Sequence, residues 1–176
     1  DKVKYAKEKN IDFIICDHHK PSKEIPKAIA VLNPLREECR YPFKDLCGCG
    51  IGFKLIQALS SRMGETIEST KEYLDLVALA IVADIVSLTG ENRILCYYGL
   101  EQINQSPRPG LKAIIDTLDK DNITINELGF YIGPRINAAG RMESGNIAVE
   151  LLIEKDLDKA SGLAEKLNQL NIERRV

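Results

Sequence analysis

Residues 11–16, IDFIIC, are a short, nearly continuous apolar run that stops at Asp17-His18-His19. A strand with apolar side chains on both faces belongs in a parallel sheet covered by helices. The residues just before it, KVKYAKEK (2–9), read as a helix with Val3, Tyr5 and Ala6 facing inward. A helix feeding a buried strand is the second half of a βαβ unit. The unit's first strand is therefore expected ahead of residue 1, and the chain reads as cut at its start. A second short strand is expected over 28–34, AIAVLNP, ending on the Asn33-Pro34 turn signal. The predicted fold class is α/β, with an incomplete parallel sheet of two short strands near the N-terminus and a largely helical half after it.

That half begins at 49–63, where apolar residues recur at helical spacing behind a glycine-rich entry. Ser69 and Glu72 have the spacing of a capping box. They precede EYLDLVALAIVADIV (72–86), which is apolar nearly all round and so must be buried. Two more helices are expected over 92–104 and 110–118, separated by SPRPG. Thr124 and Glu127 make a second capping box. Gly133-Pro134 is expected to break that helix, with Pro134 in the first turn of a new one ending near Gly140. Asp156 is the expected cap of a last helix with Leu157, Ala160, Leu163, Ala164, Leu167 and Leu170 on one face. It runs into NIERRV without a stop signal, so this end reads as cut too.

The totals limit the partners. Net charge is −2 over 176 residues, so no global field holds a polyanion, and attraction to nucleic acid must be local or come from elsewhere. Five cysteines with no C-x-x-C argue against a disulfide framework and for a reducing cytoplasm. Cys47-Gly48-Cys49 is poorly spaced for a metal clip and better suited to a buried helix start. The apolar run at 76–83 is far too short to span a membrane.

Three places carry chemistry. Asp17, His18 and His19 lie at the carboxyl end of a parallel strand, where open α/β sheets bind ligands. Their oxygen and imidazole donors suit Mn²⁺, Zn²⁺ or Fe²⁺ better than Mg²⁺; a polar strand end with a capping aspartate fits the same residues. Asp84 follows an apolar helix with no lysine or arginine within a turn. A buried acid there would need a metal or a proton, unless it caps the next segment instead. Between Leu128 and Met142 there are two arginines and no acid. Arg135, Asn137 and Arg141 there suit phosphate contact near a helix start, while pairing of an arginine with Glu127 or Glu143 is the plainer alternative.

Taken in order, ICDHHKP, VADIVSLTGENR and GPRINAAGRM resemble the DHH phosphoesterase superfamily. AVLNPLREECRYPFKDLCGCGIGFKLIQAL and GPRINAAGR point within it to the bacterial single-stranded-DNA-specific 5′→3′ exonucleases. The resemblance covers essentially the whole chain. It implies residues 1–155 as the C-terminal part of a DHH catalytic domain and 156–176 as the start of a connector helix towards a further domain. It implies two-metal phosphodiester hydrolysis with Mn²⁺ or Mg²⁺ in DNA repair and recombination. Asp17, His18, His19 and Asp84 would be catalytic, with Asp17, His18 and Asp84 on metal. His19, Arg135, Asn137 and Arg141 would contact phosphate. Expected partners are single-stranded DNA, a single-stranded-DNA-binding protein and a RecQ-type helicase, with no membrane. Upstream aspartate motifs that complete the two-ion site are absent, so the chain alone is expected to be inactive. A pyrophosphatase or short-oligonucleotide phosphatase is the alternative within hydrolases. An inactive scaffold binding DNA or replication proteins is the alternative outside them.

Overall fold

A computed structural model of the chain describes residues 2–118, 120–142 and 144–174. Helix α1 (Lys2–Glu8) leads into β1 (Ile14–Cys16), which pairs in parallel with β2 (Ala30–Leu32) in the register Ile14↔Ala30, Ile15↔Val31, Cys16↔Leu32. The expected α/β start is present, with shorter strands. The expected cover on both strand faces is not found among the described residues. Cys16 and Leu32 pack on the core, but Ile11, Ile14 and Ile29 are more than half exposed. Two three-residue strands and one short helix have too little surface to bury that end. Tyr5 is likewise exposed rather than inward, with the Lys9 ammonium over its ring, while Ala6 is buried.

Among the described residues the remaining regular elements are helical, in the order α2 (Gly48–Arg62), a 3₁₀ turn over Ile67–Tyr73, α3 (Leu74–Ala83) and α4 (Gly90–Gln105). Then follow α5 (Pro109–Ile115), α6 (Ile125–Glu127), a π segment over Leu128–Ile132, α7 (Gly133–Met142), α8 (Asn146–Ile153) and α9 (Leu157–Glu173). Helix α3 is central and packs on α2, α4 and α7. Its Val77, Ala78 and Ile81 are at most 1% exposed, as an all-round apolar helix requires. Helices α3 and α4 touch backbone to side: a Cβ on Gly99 would stand 2.2 Å from the Leu74 carbonyl oxygen. Helix α9 packs on α5, α7 and α8 through Ala160, Ala164 and Leu167.

Two local expectations are corrected, and one helix is added. Ser69 caps no α-helix: its hydroxyl donates to Thr66 O within the 3₁₀ turn, and α3 starts five residues later. Gly133-Pro134 does not break the chain's helical course. Pro134 lacks an N–H and its ring would clash with the carbonyl four residues back. The π segment widens the turn ahead of it, Gly133 N–H bonding Leu128 O, and α7 follows directly. Helix α8 was not expected; Ile147, Ala148 and Leu151 bury its face. The caps at Thr124–Glu127 and Asp156 form as read.

Candidate functional site

The sheet pairing continues one residue past β1, since Asp17 N–H still donates to Leu32 O. The chain then turns. Asp17 Oδ1 accepts the backbone N–H groups of His18 at 2.8 Å and His19 at 3.2 Å, and meets His19 Nδ1 at 2.7 Å. The His19 side-chain bond is the main reason the Asp17 carboxyl is held below its ordinary range, with the two N–H groups adding to it against some burial. An ionised Asp17 makes His19 Nδ1 the donor, which leaves Nε2 of this ring for an outside partner. The His19 side chain is 80% exposed.

His18 turns the other way. Its side chain is 22% exposed, and its Nε2 lies 3.6 Å from Asp84 Oδ2. That is too long for a hydrogen bond. It fits two ligands of one ion, since donors each about 2.1 Å from a shared metal stand roughly 3.0–3.5 Å apart. The start of α2 lies beside this ring: a Cβ added at Gly48 would stand 3.7 Å from His18 Cδ2. Cys47 Sγ caps α2 by accepting Gly50 N–H, so Cys47 serves as a buried helix start.

Asp84 is corrected on one point: it is not buried. Its side chain is 43% exposed, because α3 ends at Ala83 and Asp84 caps it. The buried acid of this helix is Asp75, fully enclosed and paired with Arg108 at 2.6 and 2.7 Å. After Asp84 the chain makes a Schellman turn, Val86 N–H bonding Ile81 O and Ile85 N–H bonding Val82 O. The left-handed residue of that turn is usually glycine. Here it is Ile85, at φ 55. A β-branched residue in that region carries strain of roughly 1–2 kcal/mol.

Two buried asparagines tie the site's segments together, and the sequence reading gives neither of them this bracing role. Asn33, at the end of β2, donates from Nδ2 to His19 O at 2.8 Å and accepts Leu35 N–H at 2.9 Å. Asn92, fully buried on α4, donates to Asp45 O and to Ser87 O. The His18 side and the Asp84 side are thus braced against one loop, residues 33–47. Between them lies an open pocket of about 220 Å³ lined by His18, Lys44, Asp45 and Ser87 with Leu35, Leu46 and Val86.

The arginine segment divides. Arg135 is half-buried and donates to Asn168 Oδ1 on α9 and to Tyr131 O. Asn137 and Arg141 are exposed on α7. The alternative partner Glu143 lies outside the described residues. The segment does approach the site: a Cβ added at Gly133 would stand 3.7 Å from the Cβ of Ala83, the residue before Asp84. Among the described residues, no three His, Cys, Asp or Glu side chains converge to hold an ion.

Residues 1–81 match the DHH family, N-terminal domain. The chain is 43% identical to the single-stranded-DNA-specific exonuclease RecJ of Bacillus subtilis over 98% of its length, covering 21% of that protein. It is 38% identical to the RecJ of Escherichia coli over 96% of its length, covering 31% of that protein. The crystal structure of RecJ in complex with Mn²⁺ from Thermus thermophilus superposes with a TM-score of 0.86 at 32% identity, over 99% of this chain and 26% of that one. The chain thus spans about a fifth to a third of the length of these relatives; its first 81 residues match the N-terminal domain of the DHH family, and over nearly its whole length it is similar to RecJ exonucleases.

Proposed function

We propose that this chain carries the central part of a metal-dependent exonuclease of RecJ type, which hydrolyses single-stranded DNA from its 5′ end in DNA repair and recombination. The observation that carries the reading is the pairing of His18 Nε2 with Asp84 Oδ2 across 3.6 Å at the mouth of the parallel sheet. Two such donors are half of a divalent-ion site. Mn²⁺ is the ion held by the Thermus thermophilus RecJ structure, and Mg²⁺ is its substitute. When bound, two such ions lower the pKa of a water and offset charge on the leaving oxygen. Carboxylates from outside this chain complete the set, so the chain alone releases no nucleotides.

The chain's own residues then divide the work. His18, at the strand end, and Asp84, at the end of α3, would hold an ion. Asp17 locks the turn and fixes the His19 tautomer, and stands next to the ion's ligands. His19 offers Nε2 to a phosphate oxygen in the open. Asn137 and Arg141 face the nucleic-acid path, and Arg135 supports them from its bond to α9. Residues 1–155 form the C-terminal part of the catalytic domain, and 156–176 begin the helix that leads out of it. A cytoplasmic location, with a single-stranded-DNA-binding protein and a RecQ-type helicase as partners, belongs to the same reading.

The test uses the protein that carries this chain, Mn²⁺, and single-stranded DNA labelled at either end. His18→Ala and Asp84→Asn should each lower nucleotide release by more than the roughly 10–100-fold that loss of an outer-shell partner costs. Full activity in either variant, or equal attack on duplex DNA by the unaltered protein, refutes the assignment.

A further inference from the structure

We propose that Ile85 is a substrate-contacting residue, whose apolar side chain lies against the base or sugar of the nucleotide next to the scissile phosphate. The inference rests on the exonuclease reading above and deepens it.

Three observations converge on this residue. Its backbone is left-handed at φ 55, in a Schellman turn where glycine would be unstrained. Its side chain is 90% exposed, so packing within the described residues does not repay that strain. It stands between Asp84, which faces His18, and Val86 and Ser87, which line the pocket that His18 shares. Strained residues persist where the side chain or the geometry serves the site. The Schellman hydrogen bonds are all backbone bonds, and glycine would make them equally well. What isoleucine adds over glycine is therefore the side chain itself, an apolar knob beside the ion ligands. An apolar contact to a base or deoxyribose is indifferent to sequence, as an enzyme that degrades any single strand requires.

The chemistry has a sharp signature, because strain relief and lost contact act in opposite directions. Ile85→Gly and Ile85→Asn both suit the left-handed position and both remove the apolar knob. In the protein that carries this chain, each variant should raise the urea midpoint. Each should also raise KM for single-stranded DNA, by about tenfold for Ile85→Gly, the order expected for one lost aliphatic contact. The loss should fall on KM rather than on kcat, and Mn²⁺ titration followed by electron paramagnetic resonance should be unaltered. Single strands with abasic sites at the 5′-terminal positions separate base from sugar. If Ile85 meets the base, the unaltered protein loses affinity for them and Ile85→Gly does not distinguish them. If it meets the sugar, neither protein distinguishes them but the KM difference between the two proteins stays.

An unchanged KM with a raised midpoint overturns the proposal, leaving strain without a substrate contact. A lowered midpoint overturns it as well, because the side chain then packs against another part of the protein. If the unaltered protein does not hydrolyse single-stranded DNA at all, the exonuclease reading fails first and this one with it. Hydrolysis by the unaltered protein with no KM effect in either variant removes this inference alone.

Discussion

Arg108→Met tests the energetics of the helical half directly. Asp75 is fully enclosed, and Arg108 meets it with two nearly parallel bonds, Nε to Oδ2 at 2.6 Å and Nη2 to Oδ1 at 2.7 Å. The same guanidinium donates to Glu72 O at 2.8 Å and to Leu152 O at 3.2 Å. It therefore joins the start of α3, the start of α5 and the end of α8. Methionine keeps much of the volume and removes every donor. What remains is a carboxylate in the core without a counter-charge, which costs about 3–5 kcal/mol. That is a large part of the roughly 5–15 kcal/mol by which domains are stable. In a chain of this size it corresponds to a Tm lowered by roughly 6–20 °C. Urea unfolding followed by circular dichroism reads the change, with an unchanged m-value as the sign that only the native state was touched. Replacing both partners, Asp75→Leu with Arg108→Met, should recover most of the loss, because apolar isosteres replace a buried pair at little cost. A loss below about 1 kcal/mol in Arg108→Met would refute the reasoning, since Asp75 would then be solvated or protonated.

Other predictions follow from the packing and the brace. Asn33→Ala leaves Leu35 N–H and His19 O without their partner and should cost about 1–3 kcal/mol; it should also weaken Mn²⁺ binding in a direct titration, whereas a purely structural asparagine would leave that titration alone. Gly99→Ala places a Cβ 2.2 Å from Leu74 O and 2.5 Å from Ala78 Cβ. It should lower the urea midpoint by about 1–3 kcal/mol of stability or more, because two helix backbones must separate. Gly110→Ala, whose Cβ would stand 2.0 Å from Leu151 O, should behave in the same way at the α5–α8 contact. A neutral result at either glycine would mean that the helices do not cross as closely as described.

Much of the architecture is legible in the residues alone. The apolar run before Asp17 forces a strand, and the all-round apolar character of 74–83 forces a central helix, because both are rules of period and burial. The caps at Thr124 and Asp156 are local chemistry, with donor and acceptor within four residues, and they form as read. The failures are of another kind. A carboxylate in an apolar segment was expected to be buried at Asp84, yet the enclosed acid is Asp75. Its cation, Arg108, is 33 residues away in sequence, and no local pattern exposes such a pair. Asn33 was legible as a turn signal but not as the brace of the His19 carbonyl, 14 residues back. Ile85 carried no signal at all, since an isoleucine in an apolar run reads as core.

By itself the sequence determined the elements and the chemistry available: a strand ending in Asp17-His18-His19, an aspartate after an apolar helix, and arginines near a proline-started turn. Those are consequences of short-range sterics, periodicity and side-chain type. The tertiary structure alone decided which of these groups meet. It turned His18 towards Asp84, tied Arg135 to Asn168 on α9, and set Ile85 in a left-handed turn beside the ligands. Contacts across 14 to 66 residues depend on how helices pack against one sheet end, and packing is a property of the whole chain.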